Sequence, residues 1–345
     1  MILTLEKVDR SLNGLTFIDL FAGIGGFRIA LEHFGAKCVF SSEWDKHAQH
    51  TYFANFGEIP HGDITKIEAS EIPAHNILCA GFPCQAFSIS GKQLGFDDAR
   101  GTLFFDVARI AKHHQPEIIF LENVRNFKKH DGGKTLKTVL GVLDEIGYDF
   151  WHSVLNASHY GVPQNRERIY FVCFRKDLGI DSFTFPKPTY EATILKDIVL
   201  PDGETLKYII DRTDISLDES KIPQSGLFEV ANLRPIRIGT INKGGQGERI
   251  YSELGHAVTL SAYGGGPGSN TGVYLINGRI RKLAPRECAR LQGFPDSFVI
   301  PVSDSQAYKQ FGNSIPIPVV KHIIQQVIEL LNISNVGCSS GYPCG

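Results

Sequence analysis

Long hydrophobic runs are missing from this 345-residue sequence. No stretch approaches the ~18 uninterrupted apolar residues that a membrane span needs. The first residues, MILTLEKVDR, lack the basic region, apolar core and small-residue cleavage site of a secretory leader. The expected location is the cytoplasm. Cysteine pairing is missing too: Cys38, Cys79, Cys84, Cys173, Cys288, Cys338 and Cys344 are odd in number, form no CxxC and have no histidine at ligand spacing. That argues against a disulfide framework and a structural zinc site, so no metal is expected. There is no internal repeat.

What is present is enough apolar material, 42% of residues, to fill the core of one full domain and a smaller second one. FIDLF, CVFSSEW, NILCAGF, EIIFLEN and RIYFVCF are strand-like runs, and helical stretches such as RIALEHF separate them. This alternation predicts an α/β fold with a doubly wound, mostly parallel, Rossmann-like sheet whose ligands lie at the carboxyl ends of the strands. After Pro186 and Pro188 the pattern changes to short β-like runs, and eleven of the forty residues 239–278 are glycine. Ile317, Val320, Ile324, Val327 and Leu331 then recur at helical spacing. The expected organisation is a catalytic and cofactor-binding domain over 1–190 and a small β- and loop-rich recognition domain over 191–285. A hinge and a returning C-terminal helix follow over 286–335, and a tail without regular structure over 336–345.

Net charge over the whole chain is only −2, but its distribution is uneven. Residues 191–233 hold nine Asp/Glu and four Lys/Arg, a net of −5, whereas residues 234–290 hold nine Lys/Arg and three Glu, a net of +6. The second segment suits phosphates, with an ordinary solvated basic face as the alternative.

Three places carry chemistry. Directly after the first strand, FAGIGGF puts Gly23, Gly25 and Gly26 where the backbone turns sharply against a ligand. Glu43, twenty residues after Gly23, is placed to hold ribose hydroxyls; Trp44 offers a face to a base, and Asp63 can accept from an adenine amino group. A dinucleotide would favour a third glycine where Arg28 stands, so S-adenosylmethionine, which has no phosphate, is the better fit. The second place is Cys84, at the junction of an apolar strand with a polar loop that carries Gln85, Ser88 and Ser90, where a thiolate can act as nucleophile. Cys38, Cys79, Cys173 and Cys288 read as core residues. The third is Glu122, at the end of EIIFLENV, whose carboxyl group can exchange a proton with a ring nitrogen while Cys84 attacks the adjacent carbon. Arg166 or Arg168 can support Glu122 or hold the substrate, surface ion pairs being the alternative.

With FAGIGGF, GFPCQ, ENV, QNRERIY and the late GNS in this order, the chain resembles the DNA cytosine-5 methyltransferases, nearest to the bacterial type II modification enzymes. The resemblance implies an enzyme that flips a cytosine out of double-stranded DNA. Cys84 would add to C6, Glu122 would engage N3 and the amino group, and S-adenosylmethionine would methylate C5. It further implies a cofactor pocket of Phe21, Ala22, Gly23, Ile24, Gly25, Gly26, Glu43, Trp44, Asp63, Ile64, Pro83, Leu103, Asn313 and Ser314. Arg166 and Arg168 join the catalytic set. DNA contacts fall on Gln85, Ser88, Ser90, Gln246, Arg249, Tyr263 and Gly266. KGGQGERIYS and TLSAYGGG resemble the branch that recognises GCGC, which implies a monomer paired with a restriction endonuclease. Arg249 suits guanine O6 and N7, and Gln246 can fill the space the cytosine leaves. Two other readings are a tRNA cytosine methyltransferase and a catalytically silent regulator. Side-by-side methylation of duplex DNA and tRNA separates the first, and intact Cys84 and Glu122 argue against the second.

Overall fold

The computed structural model describes residues 11–83, 102–191, 193–223, 234–263 and 265–339, with side chains to residue 332. Its larger sheet comprises β1 (Thr16–Leu20), β2 (Lys37–Ser42), β3 (Ile77–Gly81), β4 (Ile118–Val124), β5 (Tyr148–Asn156) and β6 (Glu167–Arg175) in the order β2-β1-β3-β4-β6-β5. The pairings of β1 with β2, β1 with β3 and β3 with β4 are parallel; β6 is antiparallel to both β4 and β5. The strands are apolar at nearly every position because both faces are covered. Successive side chains of a strand point to opposite faces. Accordingly Ile77, Cys79, Ile118 and Phe120 enter one core while Leu78, Ala80, Ile119 and Leu121 enter another.

Helices follow the strands. They are α1 (Gly26–His33), α2 (Lys46–Phe56), α3 (Leu103–His114) and α4 (Lys134–Glu145), then the single turn α5 (Asp202–Thr205). The five-stranded second sheet contains β7 (Ile215–Leu217), β8 (Arg237–Ile241), β9 (Arg249–Ser252), β10 (Val273–Ile276) and β11 (Arg279–Arg281), in reverse chain order. Its own core is small: Ile238, Ile241, Ile250 and Val273 are buried there. The chain closes with α6 (Pro285–Leu291), α7 (Asp304–Asn313) and α8 (Ile317–Ser339). As the helical spacing predicts, Ile317, Val320, Ile324 and Val327 of α8 are buried in the core that also takes α1, with Leu331 packed at its edge. The helix continues to Ser339, into the segment 336–345 for which no regular structure is expected.

The α/β expectation is met. Cys38, Cys79 and Cys173 lie in strands and Cys288 in α6, all buried and free, and burial pushes each thiol above its usual range. Strand β5 has no counterpart among the strand-like runs of the sequence. Its pattern YDFWHSVLN mixes polar and aromatic residues, and it lies at the sheet edge where only part of each side chain is covered.

The second sheet is fastened to the helices by a buried ion pair. Arg281 and Glu287, 1% and 0% exposed, meet in two bonds of 2.7 and 2.8 Å. Glu287 also accepts from the Ala284 and Leu200 backbone amides at 2.7 and 2.8 Å. Removing one partner strands a buried charge, which costs about 3–5 kcal/mol. Glu287→Ala is therefore expected to lower the unfolding free energy by about that amount in denaturant titration. A loss below about 1 kcal/mol would mean that the pair is compensated elsewhere.

Candidate active site

Parallel pairing brings the ends of β1, β2, β3 and β4 to one edge of the sheet, and the antiparallel β6 starts there. A single cavity of about 520 Å³ opens at this edge. Phe21, Ala22, Gly23, Ile24 and Gly26 line it from the first turn, Glu43 and Trp44 from the end of β2, and Asp63, Ile64, Pro83 and Leu103 from the next loops. Glu122, Arg166, Arg168, Tyr263, Asn313 and Ser314 complete the wall.

The turn after β1 is held in unusual backbone geometry. Phe21 takes φ +58° in addition to Gly23 at +55° and Gly25 at +86°; a left-handed phenylalanine is strained and is kept by its surroundings. Gly25 does not line the cavity. Its hydrogen faces away, and a Cβ there would fall 2.4 Å from the Phe56 ring, so this glycine serves close packing of α1 on α2. Arg28, where a dinucleotide site would have glycine, is instead buried against α2, bonded to Glu32, Tyr52 and Glu58.

Glu43 is fixed at the cavity by two backbone donors, Gly23 N–H at 2.9 Å and Asp45 N–H at 2.8 Å. Burial nonetheless raises its pKa above the usual value. Trp44 beside it is 70% exposed, leaving an aromatic face open at the rim. Asp63 caps the turn Ile64–Lys66 through Thr65, whose hydroxyl donates at 2.8 Å. The far wall is tied to this one. Lys309 of α7 also lines the cavity and donates to Asp45 Oδ2 at 2.6 Å. The fit for S-adenosylmethionine rests on this combination: an acceptor carboxylate anchored by backbone, an open aromatic face and a glycine turn around one chamber.

At the other end of the same chamber, Glu122 accepts an ion pair from Arg168 Nε at 3.1 Å. Sheet register accounts for the meeting: Glu122 lies opposite Tyr170 and Val124 opposite Arg168. Burial raises the Glu122 pKa, with Arg168 and then Arg166 pulling it back. Asn123 donates to the Phe82 carbonyl at 2.8 Å and so fixes the chain that leads into Pro83. The sequence places Asn123 beside Glu122 at this edge of the sheet, and the structure gives it this bond.

The two arginines separate in role. Arg166 donates to the backbone carbonyls of Leu260 at 3.0 Å, Gly312 at 2.9 Å and Ser314 at 2.6 Å. It is wholly buried, which pushes its pKa down to about 9 and leaves it charged at neutral pH. Gly312 is required at this junction because a Cβ there would sit 2.3 Å from the Ala262 amide nitrogen.

Tyr263, 75% exposed, reaches the cavity from the glycine-rich segment. Gln246, Arg249 and Gly266 do not line it. Gln246 and Arg249 are exposed on the second sheet, and the two glycine-rich segments meet there, the Gly268 amide donating to the Gly247 carbonyl at 2.7 Å. The basic count of residues 234–290 needs correction as a surface charge. Arg281 is buried on Glu287, Arg290 pairs with Asp296, Arg286 donates to the Phe298 carbonyl and Lys282 lies half-buried over the Tyr308 ring, leaving Arg234, Arg237, Lys243, Arg249 and Arg279 exposed. Cys84, Gln85, Ser88 and Ser90 lie outside the described residues. No group of three or more metal-ligating side chains occurs among the described residues, and no helix among them is long and apolar enough to cross a membrane.

A family model for C-5 cytosine-specific DNA methylases matches residues 15–329. The chain belongs to this family. The methylase is 56% identical over 328 residues to the type II methyltransferase M.HhaI of Haemophilus parahaemolyticus, across 95% of this chain and 98% of that one. To the type II methyltransferase M.HpaII of Haemophilus parainfluenzae it is 48% identical over 335 residues, across 92% and 90%. The crystal structure of S. pombe Dnmt2 methyltransferase matches its fold with a TM-score of 0.67 at 21% identity, over 92% of this chain and 99% of that one. The methylase is thus a DNA cytosine-5 methyltransferase with S-adenosylmethionine as methyl donor.

Asp19, in the middle strand β1, gives this methylase a distinctive pH dependence. It is 1% exposed, and neither carboxyl oxygen has a hydrogen bond among the described residues. Burial raises its pKa from 3.8 to about 8, against the pull of Arg28. A carboxyl with a raised folded pKa contributes stability that is present below the unfolded pKa and lost as pH rises through the folded one. The wild type should therefore lose stability relative to Asp19→Asn between about pH 4 and pH 8, by up to about 1.4 kcal/mol per unit. Parallel pH profiles of the two proteins in urea would show that Asp19 ionises normally.

Proposed function

We propose that this methylase transfers a methyl group to C5 of a cytosine flipped out of double-stranded DNA, within GCGC, through a covalent bond between Cys84 and C6. The observation that carries the proposal is the single chamber. Residues suited to the cofactor (Phe21 to Ile24, Gly26, Glu43, Trp44, Asp63, Ile64, Leu103, Asn313, Ser314) and the buried Glu122–Arg168 pair line one cavity. Pro83, one peptide bond from Cys84, lines it as well.

In this reading Glu43 holds the ribose hydroxyls, Trp44 covers the adenine and Asp63 accepts from its amino group; bound S-adenosylmethionine supplies an electrophilic methyl group. Glu122, whose pKa burial raises, donates a proton to N3 of cytosine as the Cys84 thiolate adds to C6, so that C5 becomes nucleophilic. Arg168 keeps the carboxyl group oriented, and Arg166 acts through the walls it holds. After C5 carries its methyl group, water takes the C5 proton, the freed electron pair forms the C5–C6 double bond as the C6–S bond breaks and releases the thiolate, and N3 returns its proton to Glu122. A cytosine in a duplex exposes neither C5 nor C6 to such a site. Flipping costs a few kcal/mol, offset by Gln246 in the vacated space and by Gln85, Ser88, Ser90, Tyr263 and Gly266 along the DNA. Arg249 reads guanine. The Rossmann-like, doubly wound reading of the larger sheet and the division into 1–190, 191–285, 286–335 and 336–345 belong to the same proposal. So do a cytoplasmic monomer and a restriction endonuclease acting on the same site.

The test is a duplex with 5-fluorocytosine at the inner cytosine of GCGC, offered with S-adenosylmethionine. Fluorine cannot leave as a proton does, so the wild type is expected to remain covalently bound, and Cys84→Ser to form no adduct while still binding the cofactor. Absence of a trapped complex in the wild type would overturn the nucleophile. Equal trapping on duplexes with single-base changes in GCGC would overturn the target.

A further inference from the structure

Immediately after the Glu122–Val124 end of β4 the chain turns into RNFKKHDGGKTLK, residues 125–137, with five Lys/Arg against one Asp, a net of +4. Part of this charge is already matched: Arg125 pairs with Glu167, and Lys134 stands 4.0 Å from Asp131. Lys128, Lys129 and Lys137 are exposed and enter no ion pair among the described residues. The segment Arg125–Gly133 packs on β6 and on α4, which hold its backbone in place. It begins at the cavity rim, where Val124 lines the opening, and runs towards the outer edge strand β5, where His152, its pKa lowered first by burial, is lowered further by the Lys128 charge.

Like charges gathered on a fixed surface repel one another, and a polyanion removes that repulsion. Duplex DNA carries one negative charge per ~1.7 Å of axis and releases counterions when cations replace them. We propose that Lys128, Lys129 and Lys137 form a phosphate-binding surface for the duplex that flanks the target. The inference rests on the DNA reading above and adds a contact face that neither the glycine-rich segments nor residues 234–290 include. A strand whose base enters beside Glu122 carries its neighbouring phosphates past Val124 and onto this surface. The contact is with backbone, so it adds affinity on every sequence and leaves target choice to the second sheet.

Binding of the full-length protein to a GCGC duplex with long flanks, followed by anisotropy across a salt series, tests this. Replacing Lys128, Lys129 and Lys137 together by Gln should reduce the slope of log affinity against log salt by about 2–3 and weaken binding at low salt at least ~10-fold. The replacements are on the exposed surface, so the thermal midpoint and kcat at saturating duplex should hold. The three-Arg variant should restore the slope, and Lys37→Gln, on β2 at the opposite edge of the sheet, should leave it unchanged. An unchanged slope in the triple Gln variant, or an equal change in Lys37→Gln, overturns the surface. Loss of affinity for a folded RNA without loss for the duplex also overturns it. A wild type that fails to bind or methylate the duplex at all would refute the DNA reading itself, whereas wild-type binding with an unaltered slope in the variant refutes only this surface.

Discussion

The buried guanidinium of Arg166 holds together three pieces of backbone on one side of the cavity. The residue enters from the start of β6. Its terminal nitrogens reach Leu260 in the glycine-rich segment and Gly312 and Ser314 at the end of α7. Two positions earlier, Gln164 extends the same tie, donating to Leu291 at 2.9 Å and accepting from Leu260 N–H at 3.1 Å. A charged group without a carboxylate partner is costly to bury, and three carbonyl dipoles offset that cost only while all three walls are in place. The interaction therefore makes closure of the cavity cooperative: displacing one wall leaves a cation under-solvated against the other two.

The chemistry of the chamber follows from that closure. With Arg166 committed to backbone, Arg168 is the cation left to pair with Glu122, and burial rather than a neighbouring anion sets the carboxyl group's tendency to keep its proton. On the cofactor side the same wall bears Lys309, which clasps Asp45 two residues beyond Glu43. Residues of α7, Lys309, Gln310, Gly312 and Asn313, thus line the same cavity as Glu43 and Glu122.

Much of this arrangement is legible in the sequence. The apolar runs of β1, β3, β4 and β6 announce a sheet covered on both faces, and the register of β4 with β6 converts two motifs, ENV and QNRERIY, into one ion pair. Glu43 is legible because its distance from the glycine turn is set by one helix and one strand. Less is legible where a residue type is ambiguous. Arg166 and Arg168 are both arginines two positions apart, on the same side of an extended chain, and what separates them is tertiary: Arg166, just before β6, meets the carbonyls of Leu260, Gly312 and Ser314, while Arg168 within β6 meets Glu122 on the neighbouring strand. Phe21 takes a backbone conformation that its side chain disfavours, and Gly25 is needed for close packing against Phe56; local sequence does not reveal either constraint. The positive balance of residues 234–290 overstates its free surface charge because Arg281 is buried on Glu287, Arg290 is neutralised by Asp296 just beyond the segment and Arg286 is tied to the Phe298 carbonyl.

The central claim is that the Arg166 clamp builds the cofactor chamber, and calorimetric titration of Arg166→Met with S-adenosylmethionine tests it most directly. Methionine fills much of the same volume without donors, so the carbonyls of Leu260, Gly312 and Ser314 lose their partner while the packing is largely kept. The account predicts a folded protein whose cofactor affinity falls at least ~10-fold, since an unsatisfied buried acceptor costs about 1–3 kcal/mol and the Asn313–Ser314 wall is released. Wild-type affinity in Arg166→Met would contradict it.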